Sequence, residues 1–234
     1  QHGLDSEAYA PARDLLLRRP PQPGSGVVRQ VSEALDAAAV RIIGDMIEGV
    51  LPIQGPPGAG KTFTGARMIA SLVAAGKKVG VTATSHKVVL HLLEEAAKAA
   101  IAQDAKIRCV HKGNKDLTSP HPDIVIDTTN SKGANKKVLD RLGVDADVIG
   151  GTAWLWADAD ARDAVDVLFV DEAAQMSLAN VIAVSQAAKT VVLLGDPRQL
   201  EQPSKGSHPD GADASALDHI LGGAKTIGAS QGLF

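Results

Sequence analysis

A glycine-rich loop between an apolar strand and a helix is the sequence feature that most constrains this fold. The octet Gly55-Pro56-Pro57-Gly58-Ala59-Gly60-Lys61-Thr62 directly follows the apolar run Val50-Leu51-Pro52-Ile53. Glycines let the backbone curl so that several N–H groups point at one phosphate, and the following helix adds its positive N-terminal end. The strand–loop–helix context therefore predicts a phosphate-binding P-loop, and a plain glycine-rich turn is the alternative.

Two side chains at the end of this loop predict a nucleoside triphosphate bound together with a cation. We expect Lys61 to reach the β- and γ-phosphates and the hydroxyl of Thr62 to hold Mg²⁺. The candidate nucleotide-binding residues run from the loop into the first helical turn and are Gly55, Pro56, Pro57, Gly58, Ala59, Gly60, Lys61, Thr62 and Phe63.

A pair of acidic residues at the end of a second apolar strand predicts the rest of a hydrolytic site. The run from 165 to 170 is followed by Asp171 and Glu172, which is a Walker B arrangement. We expect Asp171 to accept a hydrogen bond from Mg²⁺-bound water, and Glu172 to orient and deprotonate the attacking water. Adjacent strand residues face opposite sides, so the chain must turn at Asp171 for both to serve one site. An ordinary acidic turn is the alternative.

Apolar runs alternate with helical periodicity along most of the chain. We predict helices over 27–48, 61–75 and 86–103, and strands over 50–54, 78–83, 148–151, 165–170 and 190–194. Aliphatic strands that alternate with helices indicate a parallel sheet covered on both faces. The predicted fold is therefore a three-layer α/β/α domain with a mainly parallel sheet.

Charge is unevenly distributed in this chain of 234 residues with a formal net charge of −3. Residues 106–141 hold eight Lys or Arg against four acids, whereas residues 142–176 hold one against eight. A basic insertion beside an acidic metal-site region is one interpretation, and two solvated faces of unlike charge are the other. The net charge gives no overall basic signature of nucleic-acid binding.

The composition also limits the cell compartment and the partners. The one cysteine, Cys109, excludes an intramolecular disulfide and is expected to be a buried structural thiol. No apolar stretch approaches the ~18–20 residues that a membrane span requires, so no membrane partner is expected. No signal peptide opens the chain, and we expect a cytoplasmic location.

Three motifs resemble those of superfamily 1 helicases. Gln54–Thr62, Asp171–Gln175 and Gly195–Leu200 are similar to motifs I, II and III of that superfamily. Residues 149–156 and 200–209 further resemble the helicase part of bacterial proteins that fuse a RecB-like nuclease to a helicase. The resemblance covers about 50 to 230. It implies a RecA-like P-loop NTPase domain that hydrolyses ATP with Mg²⁺ and acts on single-stranded DNA or RNA.

The resemblance also implies individual roles. Gln175 would contact the γ-phosphate or its attacking water, and Gln199 would sense the γ-phosphate, so that Lys61, Glu172, Gln175 and Gln199 form the catalytic set. Thr84, Ser85, His86 and Lys87 occupy the place of a strand-contacting motif, and Thr152 matches another. A plain helix cap is the alternative for Ser85. For Trp154 and Trp156 we expect packing in the core or between domains rather than base stacking.

The predicted domain organisation extends beyond the sequence itself. We interpret residues 1–26 as a linker or the end of a preceding segment, and 27–234 as a first RecA-like domain with a polar insertion around 111–146. We expect a second RecA-like domain and an N-terminal nuclease domain elsewhere in a longer parent chain. Because an arginine from that second domain is worth ~10³–10⁵ in rate, this segment alone is predicted to hydrolyse ATP slowly.

Other functions stay open at this point. A P-loop ATPase with a regulatory or remodelling role, acting on no nucleic acid, is the main alternative, and the pair Gln175 and Gln199 argues against it. A nucleotide-binding module without catalysis is disfavoured because Lys61 and Glu172 are both present. Gln30 lies 25 residues before Gly55, too far to be the adenine-reading glutamine of such helicases, so the base specificity is open.

Overall fold

The protein folds around one seven-stranded sheet in which all the named strands are parallel. A computed structural model describes residues 9–26, 29–30, 32–197, 214–228 and 232–233. The sheet order is β1-β7-β6-β2-β5-β3-β4. The strands are β1 (Gly49–Gln54), β2 (Val79–Thr82), β3 (Cys109–Lys112), β4 (Ile124–Asp127), β5 (Val148–Gly150), β6 (Val165–Val170) and β7 (Ala188–Gly195).

Helices cover both faces of the sheet, as the strand composition predicts. They are α1 (Ala10–Leu16), α2 (Leu35–Asp45), α3 (Lys61–Ala74), α4 (His86–Ile101), α5 (Ala134–Leu139), α6 (Ala153–Trp156), α7 (Leu178–Ser185) and α8 (Ala216–Leu221). Helices α2, α3 and α4 share one apolar core with the sheet, and the others pack on the opposite face. The three-layer α/β/α fold is thereby confirmed. No helix in the described part of the chain is long and apolar enough to cross a bilayer.

Alternate strand residues supply the two cores. Phe169 of β6 packs into the core under α3 and α4, whereas its neighbours Leu168 and Val170 pack into the other. This follows from the two-residue period of a strand, and a strand composed mostly of apolar residues suits a sheet buried on both faces. Trp156 fills the second core and donates its indole N–H to the carbonyl of Val81 at 3.1 Å.

Helix α2 is shorter than the predicted helix over 27–48. It begins at Leu35, and the backbone of Ala34 is extended. Glu33 explains this start, because its carboxylate accepts hydrogen bonds from both Arg41 and the N–H of Gln30. These bonds fold the preceding residues into a turn instead of a helical register. Residues 27, 28 and 31 lie outside the described part.

The polar stretch around 111–146 contributes strands to the sheet. Strand β3 pairs with β5 on one side and with β4 on the other, both in parallel. Strand β3 enters the stretch only with its last two residues, His111 and Lys112, which are both polar. Cys109 is buried as expected, and burial raises the pKa of its thiol.

Part of the N-terminal segment packs on the domain. Helix α1 lies against β1, β7 and α7, and Leu15 is fully buried there. Residues 9–26 therefore include a packed helix rather than linker throughout.

Candidate nucleotide site at the carboxyl edge of the sheet

The loop between β1 and α3 offers an open cradle of backbone N–H groups. Gly58 and Gly60 have φ of +77° and +83°, in the left-handed region that glycine adopts without strain. No side chain caps α3. Among the described residues, the N–H groups of Gly58, Gly60, Lys61 and Thr62 have no hydrogen-bond acceptor. Free donors at a helix N-terminus fit a phosphate group.

Lys61 lies over this cradle. Its ammonium donates to the carbonyl of Gly55 at 2.7 Å and to that of Pro56 at 3.1 Å. These carbonyls hold the charge at the loop, where a triphosphate would compete for the same donor. The position fits the predicted contact with phosphate oxygens.

Asp171 and Glu172 follow β6 at the same edge of the sheet. The N–H of Asp171 donates to the carbonyl of Thr82 at 2.9 Å, and its carboxylate accepts the N–H of Glu172 at 2.9 Å. Burial raises the pKa of Asp171 to about 6, while the Glu172 N–H bond and the positive charge of Lys61 oppose that rise. A neighbouring cation would stabilise the ionised form of a buried carboxylate held in this way.

The chain turns at Glu172, as two adjacent carboxylates in one site require. Glu172 has φ of 52°, a left-handed conformation that costs a non-glycine residue ~1–3 kcal/mol. Its Oε2 is buried and has no hydrogen-bond partner within the described ranges. Such strain and an unsatisfied oxygen are typical of a site that orders a further group, such as a water molecule.

The residues at this edge of the sheet fit Mg²⁺ better than a cation that needs protein ligands at all of its coordination positions. The described residues contain no group of three or more His, Cys, Asp and Glu that could hold a metal ion. Mg²⁺ is usually bound through one or two protein oxygens together with phosphates and waters. The hydroxyl of Thr62 would supply such an oxygen, and the carboxylate of Asp171 would hold a water bound to the ion.

Gly195 brings three predicted motifs into contact. The carbonyl of Gly195, at the end of β7, accepts the N–H of Gly55 at 3.2 Å. A Cβ on Gly195 would lie 3.0 Å from the backbone N of Ala174 and 3.2 Å from that of Ala173. The strand end of the third motif thus packs between the P-loop and the turn after Glu172. Gln199 and residues 200–209 lie outside the described residues.

Gln54 has a structural role that the sequence does not reveal. Its side chain accepts the N–H of Ile227 at 2.8 Å and donates to the carbonyl of Lys225 at 3.2 Å. Leu233 forms a parallel bridge with Ile53 beside it. Gln54 therefore ties the segment after α8 to the strand that carries the P-loop, through partners far away in sequence.

Several candidate nucleic-acid residues meet next to the hydrolytic site. Thr84, His86 and Thr152 share a cleft of about 340 Å³ with Gln175. We call this space, which is lined also by Ala83, Ala153, Trp154, Met176 and Asn180, the inner cleft. The structure thus brings residues of three separate sequence motifs together.

Ser85 and Lys87 do not line the inner cleft. The hydroxyl of Ser85 accepts the N–H of Val88 at 3.3 Å, so the helix-cap interpretation of Ser85 is confirmed. Lys87 is exposed on the first turn of α4. Their contact with nucleic acid stays a prediction.

Two histidines that belong to distant segments contact each other beside the inner cleft. Nδ1 of His86 lies 2.9 Å from Nε2 of His111, and the rings meet edge to face. Burial lowers the pKa of both imidazoles, and burial together with the proximity of His86 lowers the pKa of His111 to about 4. Both rings are neutral at pH 7. No sequence motif marks His111, because only the pairing of β3 brings it here.

The strand order, the free N–H cradle and the carboxylate pair define a RecA-like P-loop domain. The chain belongs to the AAA domain family, whose profile matches residues 37–206. None of the curated proteins compared with the chain matches it.

Two solved helicase structures show remote similarity. The arterivirus nonstructural protein 10 helicase, solved in complex with DNA, is 16% identical with a TM-score of 0.45 over 73% of this chain. The UvsW helicase from bacteriophage T4 is 13% identical with a TM-score of 0.49 over 95% of this chain. This chain spans 34% of the length of the first protein and 66% of the second.

Proposed function

We propose that this chain is the ATP-binding and ATP-hydrolysing motor domain of a superfamily 1 DNA or RNA helicase or translocase, from a nuclease–helicase fusion. The observation that carries the proposal is the contact at Gly195, which joins the strand ends of motifs I, II and III. A P-loop and an acidic strand end occur in many ATPases. The end of β7 at Gly195 packs between them, and in a helicase this third motif would transmit the presence of the γ-phosphate to the nucleic-acid site.

Each residue at this edge of the sheet has its own role in ATP binding or hydrolysis. Lys61 and the free N–H groups of the P-loop bind the triphosphate, and Thr62 and Asp171 hold Mg²⁺, which neutralises phosphate charge. Glu172 takes the proton of the water that attacks the γ-phosphorus as the bond to the ADP oxygen breaks. Gln175 orients that water, and Gln199 senses the γ-phosphate.

Coupling to nucleic acid is supported by the position of Gln175. It follows the turn at Glu172 and lines the inner cleft beside Thr84 and Thr152. A strand bound in this cleft would touch a residue of the hydrolytic site directly. A second RecA-like domain and a nuclease domain of the parent protein are the proposed partners, and the second domain supplies the arginine that raises the rate.

Nucleotide binding by the full chain and by Lys61→Ala tests the ATPase part. We expect a fluorescent ATP analogue with Mg²⁺ to bind the wild-type chain and to bind Lys61→Ala about 10- to 100-fold more weakly, as loss of a charged hydrogen bond implies. Lys77→Ala, an exposed lysine beyond the other end of α3, is the matched control and should bind normally. An unchanged affinity in Lys61→Ala would contradict the proposal.

Filter binding tests the nucleic-acid part. A labelled oligo(dT) or oligo(U) is mixed with the chain and a non-hydrolysable ATP analogue. Nucleotide binding without retention of either strand would favour a regulatory ATPase over a helicase motor.

A further inference from the structure

The two tryptophans of helix α6 have opposite environments. Trp156 is fully buried and hydrogen-bonded to Val81, whereas Trp154 has 86% of its surface exposed. The ring of Trp154 therefore makes almost no contribution to the core. Packing in the core is thus confirmed for Trp156, whereas Trp154 does not pack in the core of this domain. An indole this exposed is a large binding surface held with little conformational freedom.

Trp154 stands on the boundary between two clefts. On one side lies the inner cleft. On the other lies a cleft of about 470 Å³, here called the outer cleft, to which Trp154, His86 and Thr152 also contribute. The outer cleft is lined further by the end of β3, by the loops that follow β3 and β4, and by the first turn of α5. These supply Lys112, Asn114, Lys115, Thr129, Asn130 and Asn135. A ligand that occupied both clefts would lie beside His86, Thr152 and Trp154, the residues that line both.

The outer cleft has the chemistry of a sugar–phosphate contact. Lys115 is exposed and forms no ion pair with the described residues, and Lys112 is held by the carboxylate of Asp127 and the carbonyl of Thr129. Amide and hydroxyl side chains provide further donors. Asp116 is the one acid on the lining. Lysines, amides and hydroxyls are the groups that bind nucleic-acid backbones.

The surroundings of Trp154 favour a strand of nucleic acid over a protein partner. A protein interface places an exposed aromatic ring among other apolar side chains. Of the large hydrophobic residues exposed in the described ranges, Trp154 alone lines either cleft. A single ring among polar groups and cations is the arrangement that binds single strands without sequence preference.

We infer that Trp154 is a stacking platform for one base of a single strand, whose backbone continues through the outer cleft past Lys115. The inference rests on the proposed function, because it names a contact of the same nucleic-acid partner. It also assigns a binding role to the loops after β3 and β4, which carry none of the helicase motifs.

Fluorescence of the full chain tests the stacking contact. We expect oligo(dT) to quench the emission of the exposed Trp154, and the quenching to be lost in Trp154→Phe, in which buried Trp156 gives the remaining signal. By anisotropy of a labelled strand, Trp154→Ala should bind about 5- to 150-fold more weakly, and Trp154→Phe should recover part of the affinity. Ile47→Ala, which removes another exposed apolar side chain (81% exposed) just before β1, should bind like the wild type.

An abasic strand of equal length separates stacking from phosphate binding. It should bind the wild type and Trp154→Ala with equal affinity. The inference is overturned if oligo(dT) does not bind, if it binds without quenching, or if Trp154→Ala weakens both strands alike. Nucleotide binding, measured on the same samples, tells the two proposals apart. If ATP binds and the Trp154 variants bind oligo(dT) like the wild type, only the stacking inference is contradicted. If ATP does not bind, the proposed ATPase function is contradicted.

Discussion

The two halves of the sheet's carboxyl edge are built in different ways. At β1, β7 and β6 the site is shaped by the backbone, with a left-handed loop, a left-handed Glu172 and the close contact at Gly195. At β2, β5 and β3 it is shaped by side chains, with Trp154 exposed and His86, which lines both clefts, in contact with buried His111.

The two kinds of construction differ in how easily the site can be recognised from the sequence. A backbone cradle needs glycines at fixed positions, so its half of the edge leaves a recognisable pattern. A side-chain surface can be assembled from segments at any separation, and it leaves no spacing to recognise.

The largest expected effect is on catalysis in the backbone-built half. Glu172→Gln should keep ATP binding and lower the single-turnover rate of hydrolysis by about 10²–10⁴, because the general base is lost. Quench-flow with labelled ATP measures the rate. Glu48→Gln, which lies just before β1, is the control and should hydrolyse at the wild-type rate. A wild-type rate in Glu172→Gln would show that Glu172 is not the general base and that catalysis is not assigned to this half of the edge.

The next largest effect contrasts the two tryptophans directly. Trp156→Ala should lower the free energy of unfolding by about 3–5 kcal/mol, because a large buried ring is lost. Trp154→Ala should change it by less than about 0.5 kcal/mol. Urea unfolding followed by circular dichroism measures both, since the signal does not depend on indole emission. Similar losses would mean that both rings serve packing.

The histidine pair predicts acid sensitivity in the side-chain half. The pKa of His111 is about 4 in the folded protein, below its ordinary 6.5, so the unfolded chain takes up the proton first. This contribution to stability is full above pH 6.5 and is lost as the pH falls toward 4. Between pH 7.5 and 5 the free energy of unfolding should drop by on the order of 2 kcal/mol from this group.

His111→Gln, which cannot titrate, is the comparison for that pH dependence. Thermal or urea unfolding at several pH values should show a shallower slope in the variant than in the wild type. Carboxylates are common to both proteins and cancel in the difference. Equal slopes would show that the pair is not the source.

The smallest effect concerns the cap of α4. Ser85→Ala should destabilise the protein by about 1 kcal/mol, as loss of a serine cap does. Ser177 caps α7 through the N–H of Asn180 at 3.3 Å, and Ser177→Ala is the matched control. The two variants should lose similar stability. Weaker oligonucleotide binding in Ser85→Ala alone would add a ligand contact to the cap.

Much of the fold was accessible from the sequence because local patterns decide it. The P-loop, the strand before Asp171 and the start of α4 at Ser85 are specified within a few residues, and the structure has each of them. The predicted start of α2 was wrong because the bonds of Glu33 to Arg41 and to the N–H of Gln30 override helical periodicity. Tertiary contacts of this kind outweigh propensity.

The candidate site was only partly predictable for the same reason. Motif spacing indicated Lys61, Asp171 and Glu172, but no pattern indicated which tryptophan would be exposed. Nor did any pattern show that Gln54 holds a segment more than a hundred residues away. Such features arise from strand order, which a single sequence does not state.

Gln54 gives the fold a mechanical property. The segment after α8 runs beside β1, bonded through Gln54 to Lys225 and Ile227 and through Leu233 to Pro52 and Gln54. A load applied at Leu233 would act in shear along the P-loop strand, with the hydrogen bonds loaded together rather than one after another. Because Gln54 directly precedes Gly55, such a load would act on the strand end next to the phosphate-binding loop.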